Sequence, residues 1–409
     1  MQTDINELIL TLKTYHKLHS VKQTADAFGV NISTITRRLE RAEKLGLKHN
    51  SDIDIVLTNV RLAKQKQASF DTNRVANKSF REFARSENAV EAIALELVEI
   101  LKNHQFEPPI KNHAATDSRA CAILHLSDNH LNEMVDLPHN KYDWDIAAKR
   151  LKKLANRTIK VCKSYGVNKL VVCFTGDLIN SDRRLDEALT NAGNRASACV
   201  LATYLYGQML EHLASQLQVS CASISGNESR IQKDVGWTRD VASDNYDFII
   251  YNMLSILHGK YIDFSQSNQP SEQVINVAGQ NVLMIHGHGT KGTGQQNIQA
   301  VKGRWLARGV NVDFVISGHF HECHLSDSYA RSSSLVGSNA YSEDALNLAG
   351  RASQNVYIVH EGGGFDGIKI DLQHTEGVEG YDIQEQLISY NTKSALKAHK
   401  GEVIFSVVI

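Results

Sequence analysis

From about residue 119 onward, short apolar runs alternate with longer stretches in which apolar positions recur at helical spacing. The runs lie in "CAILHLSD", "LVVCFTGD", "VSCASISGN", "NVLMIHGH" and "VDFVISGH", and read as strands. Between them, "DWDIAAKRLKKLANRTIKVCKSYG" and "ASACVLATYLYGQMLEHLASQL" read as amphipathic helices. Strand, crossover helix, strand predicts an α/β core. No internal repeat and no low-complexity segment interrupts it.

The pattern before this core is different. "INELILTLKTYHKLHS" has helical periodicity, and "SVKQTADAFGVNISTITRRLERAEKLG" divides at a glycine. Ser20 is placed to cap a short helix carrying Ala25 and Phe28, and Gly29 to supply the left-handed turn that ends it. Asn31 is placed to cap a second helix with Ile32, Ile35 and Leu39 on its buried face. These residues resemble the DNA-binding helix-turn-helix of resolvases and small bacterial regulators. That likeness implies a second helix in the major groove, with Ser33, Thr34, Arg37 and Arg38 toward DNA as base or phosphate contacts. The bland alternative is a helical hairpin used for protein contacts. Residues 51–115 are expected to form a polar, mostly helical linker, whose stretch from Arg61 to Arg85 carries seven basic residues against Asp71 and Glu82. Pro108 and Pro109 close it. The C-terminal "GEVIFSVVI" reads as a short buried strand or a partner-binding edge.

Charge sharpens the division. Residues 1–85 hold 15 Lys and Arg against 9 Asp and Glu, a net of +6, while the remainder holds 29 against 36, a net of −7. A basic arm on an acidic body suits a polyanion such as DNA, although a solvated helical face has the same composition. The six cysteines form no CxxC pair, and Cys121, Cys173 and Cys221 fall in or beside apolar runs, which favours a reducing compartment over a disulfide framework. With no export signal read in "MQTDINELIL" and no apolar run near membrane length, the expectation is a cytoplasmic protein with no membrane partner.

The candidate chemistry sits where the apolar runs stop. Asp128 and His130 follow the first, Asp177 the second, Asn227 the third, His286 the fourth, and His319 and His321 the fifth. Ligands of α/β sheets bind beyond the carboxyl ends of strands, so seven O and N donors are expected at one region. Seven donors exceed one tetrahedral ion and suit two ions sharing a carboxylate. Glycines precede Asp177, Asn227 and His319, where the backbone must turn sharply. Any one of these fragments alone is more often an ordinary loop; their ordered recurrence at strand ends is what points to metal.

The ordered set "DNH…GD…GN…H…GHFH" resembles the calcineurin-like metallophosphoesterase superfamily across roughly residues 119–375. The resemblance implies a four-layer α-β-β-α sandwich over residues 116–375, preceded by the small all-α helix-turn-helix domain (1–50) and helical linker (51–115) and followed by an extension (376–409). Carried over by motif, Asp128, His130, Asp177 and His321 would hold one divalent ion and Asp177, Asn227, His286 and His319 the other, with Asp177 bridging. Mixed imidazole and carboxylate donors suit Mn, Zn, Fe or Ni rather than Ca, and the nuclease branch resembles a manganese user. Two such ions neutralise a phosphoester and make hydroxide available near neutral pH for in-line attack.

One motif departs from the family. Where many members read Gly-Asn-His, with the histidine protonating the leaving group, this chain reads "GNES". Glu228 and His288 are the substitute candidates for the acid, and Arg183 and Arg184 are candidates to clamp a phosphate. His324 matches no ligand and reads as a bystander. The leading functional reading is a phosphodiesterase acting on DNA, since "GNESR" and "GSNAY" also resemble the DNA-repair exonuclease branch and phage-encoded phosphoesterases. The alternatives are a phosphatase or small-molecule and cyclic-nucleotide phosphodiesterase, and a non-catalytic DNA-binding regulator. A homo-oligomer and a separately encoded ATPase partner are left open.

Overall fold

The computed structural model describes residues 5–49, 70, 118–183, 185–231, 242–265, 271–288, 295–345, 350–390 and 392. The chain divides into two compact units, Met1–Asn88 and Ala89–Ile409. Apart from Phe70, the expected linker 51–115 lies outside the described residues, as do Arg184 and the C-terminal "GEVIFSVVI".

The first unit contains α1 (Ile5–Leu18), α2 (Val21–Phe28) and α3 (Ile32–Lys44), closed around Leu8, Ile9, Ala25, Ile35 and Ala42. Ser20 accepts from Gln23 N at the start of α2, and Gly29 ends that helix at φ +63°. Two expectations are corrected. Asn31 stands at the cap position of α3 but its side chain makes no capping bond. Ile32 is 51% exposed, because the first turn of α3 projects past the small core that Ile35 fills.

In the second unit the strands are β1 (Cys121–Leu126), β2 (Val135–Asp136), β3 (Lys141–Tyr142), β4 (Lys169–Phe174), β5 (Gln218–Ser223), β6 (Asp263–Phe264), β7 (Glu272–Val277), β8 (Gln280–Ile285), β9 (Phe314–Ser317), β10 (His324–Ser326), β11 (Tyr329–Arg331), β12 (Ser353–Val359) and β13 (Phe365–Asp371). The helices are α4 (Trp144–Ser164), α5 (Leu185–Leu189), α6 (Arg195–Ala214), α7 (Tyr246–His258), α8 (Gln295–Leu306) and α9 (Gln384–Ser389). One sheet runs β13-β12-β1-β4-β5-β6, and the other β10-β11-β9-β8-β7. β1, β4 and β5 are parallel neighbours, and so are β8 and β9, so each sheet sends consecutive carboxyl ends the same way.

The apolar runs have a simple cause. On β1 and β4, Ala122, Leu124, Leu126, Leu170, Val172 and Phe174 pack into the core that includes α4, α6 and α7. The alternate residues Ile123 and Cys173 join Ala222, Val282, Met284, Phe314, Ile316 and Tyr357 in a cluster drawn from both sheets. Leu283, Ile285 and Val315 turn the other way, onto Ile298 of α8. A strand covered on both faces has no reason to alternate polar residues. None of the six cysteines forms a disulfide, and among the described residues no helix is long and apolar enough to cross a membrane.

Candidate metal centre

Beyond the last residues of β1 and β4 the two chains stay paired: Asp128 N donates to Gly176 O, His130 N to Asp177 O, and Leu131 N to Leu178 O, at 3.0–3.1 Å. Here the backbone turns hard. Asp128, His130, Asp177, His319 and His321 all have positive φ, between 41° and 73°. Each such non-glycine residue stores about 1 kcal/mol or more, and a cluster of them marks a place where surrounding structure enforces the geometry. The glycines let the loops close in. A Cβ on Gly226 would overlap Asp177 Oδ1, and one on Gly318 would overlap Ser127 Oγ and Asp128 Oδ2.

Four strand exits, those of β1, β4, β8 and β9, thereby deliver two groups of donors. Asp128, His130 and His321 form one; Asp177, His286 and His319 form the other; within each, the donor atoms lie within 4.8 Å of one another. In the first, His130 Nε2 is 3.1 Å from His321 Nε2, which is 3.4 Å from Asp128 Oδ1. In the second, His286 Nε2 is 2.9 Å from Asp177 Oδ2 and 3.0 Å from Asn227 Oδ1. The groups adjoin: His319 N donates to Asp128 Oδ2 at 2.8 Å, and Ser127 Oγ donates to the same oxygen at 2.6 Å. All seven residues expected from the strand ends are brought together.

The donor set fits divalent metal. Asp128 Oδ1 and His130 Nδ1 are buried with no hydrogen-bond partner, a costly state for a polar atom in a dry site. Two imidazole nitrogens face each other at 3.1 Å, which is favourable only if a proton or a cation lies between lone pairs. Electrostatics agree. Burial pushes the Asp128 carboxyl up, but His321 and His286 outweigh it and hold the group at about 2. Burial is likewise outweighed at Asp177, by His286, His130 and the Glu228 N–H, which drive it further below the usual range. Burial would lower His286, yet Asp177, then Asp128 and the Thr175 carbonyl, lift it to about 10. Burial and the neighbouring His286 hold His319 down at about 4 and His288 at about 3.

The departure at "GNES" has a structural content that the sequence did not disclose. Arg183 Nη2 donates to both oxygens of Glu228 at 2.7 Å, and Asn227 Nδ2 donates to Glu228 Oε1 at 2.5 Å. Glu228 is therefore engaged as an acceptor rather than poised to give a proton, and Arg183 is occupied by it rather than open to a phosphate. Arg195 fixes the same loop through Glu228 O and Arg230 O. His288 lies beside His286 and His319, with ring centroids 5.6 and 6.2 Å away. His324 is exposed on β10, against Tyr329.

Other residues at the site escape a motif-based reading. Asp247, near the start of α7, is fully buried and accepts from Asp177 N, Leu178 N and Gly226 N. His125 is buried in β1, with Nε2 on Thr175 Oγ1 and Nδ1 on the Tyr357 hydroxyl, both at 2.9 Å. Thr175 O in turn receives His286 Nδ1 at 2.7 Å. The capping pattern "SDNYDF" is the one signal pointing to Asp247, and it predicts a helix start rather than a contact.

In the first unit, Ser33 and Arg37 are exposed and Thr34 half-buried, but Arg38 is otherwise committed. Its Nη2 lies 2.5 Å from Glu7 Oε1 and its guanidinium stands over Phe28, so its expected DNA contact is corrected to a tie between α1, α2 and α3.

No family model and no curated protein matches the chain. Among solved structures it is similar to zinc-complexed wild-type Vps29 from Entamoeba histolytica, at 14% identity and TM-score 0.29, over 61% of this chain and 99% of that one. It is also similar to the calcineurin-like phosphoesterase YfkN from Bacillus subtilis, at 10% identity and TM-score 0.30, over 66% and 96%. A third is a conserved uncharacterized protein, a predicted phosphoesterase, from Streptococcus pneumoniae TIGR4, at 11% identity and TM-score 0.24, over 62% and 98%.

Proposed function

We propose that the second unit is a divalent-metal-dependent phosphoesterase on the calcineurin-like plan, a four-layer α-β-β-α sandwich that hydrolyses phosphodiesters, with DNA as its substrate. The observation that carries this reading is the pair of adjoining His/Asp groups at four strand exits, with Asn227 from a fifth 3.0 Å from His286 Nε2. Asp128, His130 and His321 would hold one ion, Asn227, His286 and His319 the other, and Asp177 both; manganese is the first choice, with zinc, iron or nickel compatible with the donors. When bound, such a pair supplies Lewis acidity to the phosphoryl oxygens and an activated water for in-line displacement. The protein's part is to hold the donors in a strained, dry frame. His286 is aimed by its Nδ1 bond to Thr175 O, and Asp177 by the Glu228 N–H at 2.7 Å.

DNA is favoured over a small phosphoester by the first unit. Its net positive charge and the exposed Ser33 and Arg37 on α3, with Thr34 beside them, suit phosphate contacts, which raise local substrate concentration without touching the chemistry. With Glu228 held by Arg183, leaving-group protonation falls to no residue of that motif, so turnover should depend steeply on the leaving group. The test is metal-dependent cleavage of plasmid, linear and single-stranded DNA beside bis-p-nitrophenyl phosphate and p-nitrophenyl phosphate. We expect diester cleavage that Asp177→Asn abolishes. Removal of residues 1–50 should weaken DNA cleavage and its salt sensitivity while sparing the nitrophenyl diester. Monoester turnover with inert diesters would replace this reading with a phosphatase, and no turnover with any divalent metal would end it.

A further inference from the structure

We infer that Asp247 is a positioning residue, whose carboxylate sets the backbone of Asp177 and Asn227 so that their side chains meet the metal pair; this rests on the reading of the second unit as a metal-dependent phosphoesterase. Asp247 lies in the first turn of α7, remote in sequence from every strand exit, and is 0% exposed. Its Oδ2 accepts from Asp177 N at 2.8 Å and Gly226 N at 2.9 Å, and its Oδ1 from Leu178 N at 2.9 Å. One side chain therefore gathers N–H groups from the exits of both β4 and β5.

Those N–H groups need an acceptor. Past the last ladder residues the two exits cross so closely that a Cβ on Gly176 would collide with the backbone of Gly226, and Asp177 is held at φ +55°. Buried amides left unpaired there would relax the turn that aims Asp177. The end of α7 is itself pinned to the same loops: Tyr246 N donates to Ser229 O at 2.8 Å, and Asn245 Nδ2 to Gly226 O at 2.9 Å. Asn245 Oδ1 in turn caps Asp247 N at 2.9 Å.

The chemistry of the acceptor is also informative. A carboxylate has lone pairs for every N–H presented to it and no proton of its own to turn toward them. An asparagine in its place would point an NH2 at one or more backbone N–H groups.

The experiment uses the full-length chain. Mn2+ binding is followed by calorimetric titration and Co2+ by its visible absorption, for wild type, Asp247→Asn, Asp247→Ser and, as a folding control, Asp143→Ala, which removes the cap of α4. Loss of a partner that orients a ligand typically lowers metal affinity about 10–100-fold. We expect that loss and an altered Co2+ spectrum in Asp247→Asn, with the smaller Asp247→Ser less affected. Asp143→Ala should lower the melting temperature in chelator while binding Mn2+ as wild type does. Wild-type Mn2+ affinity and Co2+ spectrum in either folded Asp247 variant overturn the inference. A wild-type protein that binds no divalent ion overturns the phosphoesterase reading instead, and this inference with it.

Discussion

The two donor groups adjoin and share one chemistry, yet they are supported unequally. His286 is fully enclosed and tied at both nitrogens, to Thr175 O and Asp177 Oδ2, and the chain of contacts continues through Thr175 to His125 and Tyr357. In the other group, His130 Nδ1 is buried without a hydrogen bond, and the His321 side chain keeps 31% of its surface exposed. The histidine of the Asp177 group is therefore held by more protein contacts than the two histidines of the Asp128 group. A site that needs little reordering binds its ion more tightly, because less conformational entropy is lost on binding.

The largest effect is expected for Asp177→Asn, which on the proposed function would touch both ions: turnover of a nitrophenyl diester should fall about a hundredfold or more, with both Mn2+ binding steps weakened. Loss of a single step would show that Asp177 serves one ion only. Next, His286→Gln should remove the tighter step and His321→Gln the weaker one, read in the same titration; a reversed order would refute the contrast.

Proton release offers a finer measure. Before metal binds, Asp177, Asp128 and the Thr175 carbonyl outweigh burial and hold His286 near 10, so the ring is protonated at neutral pH and must lose that proton to become a ligand. Affinity of the tighter step should then rise about tenfold per pH unit between 7 and 9, with release of about one proton seen by titration in two buffers. The same shift has a stability sign. A histidine raised in the folded state stabilises fully below its unfolded pKa of about 6.5, and that contribution disappears as pH rises through 10. Chelated protein should therefore melt lower at pH 10 than at pH 7, and metal should reverse the trend.

His125 has the opposite sign. Burial holds it at about 3, so its contribution is present above about pH 6.5 and is lost as pH falls from there toward 3. His125→Asn should flatten that acid limb of a melting curve and weaken the tighter Mn2+ step more than the looser one. The smallest effect is expected from Arg183→Ala. It frees Glu228 and should change kcat for the nitrophenyl diester by only a few fold, because neither residue touches an ion directly. A hundredfold loss would return Arg183 to the phosphate.

Much of the second unit is legible in the linear chain. The apolar runs stand out as strands because most of their positions are buried, on one face or both, whatever covers them. The donors are legible because neighbouring parallel strands within each of the two sheets send their carboxyl ends the same way, so order in sequence maps onto proximity in space. In the first unit the same reasoning reaches less far. Periodicity locates the helices and Ser20 and Gly29 their ends, but not that Ile32 faces out or that Arg38 is taken by Glu7.

The linear order of residues already specifies the strands, their polar ends, and hence the metal-binding character of one region. Who partners whom emerges only on folding: Arg183 with Glu228, Arg38 with Glu7, and Asp247 with three amides from two strand exits. The cause is range. Burial and turn propensity act on neighbours a few residues apart and leave a periodic trace, whereas a hydrogen bond or ion pair between residues tens of positions apart exists only once the core has set the distance between them.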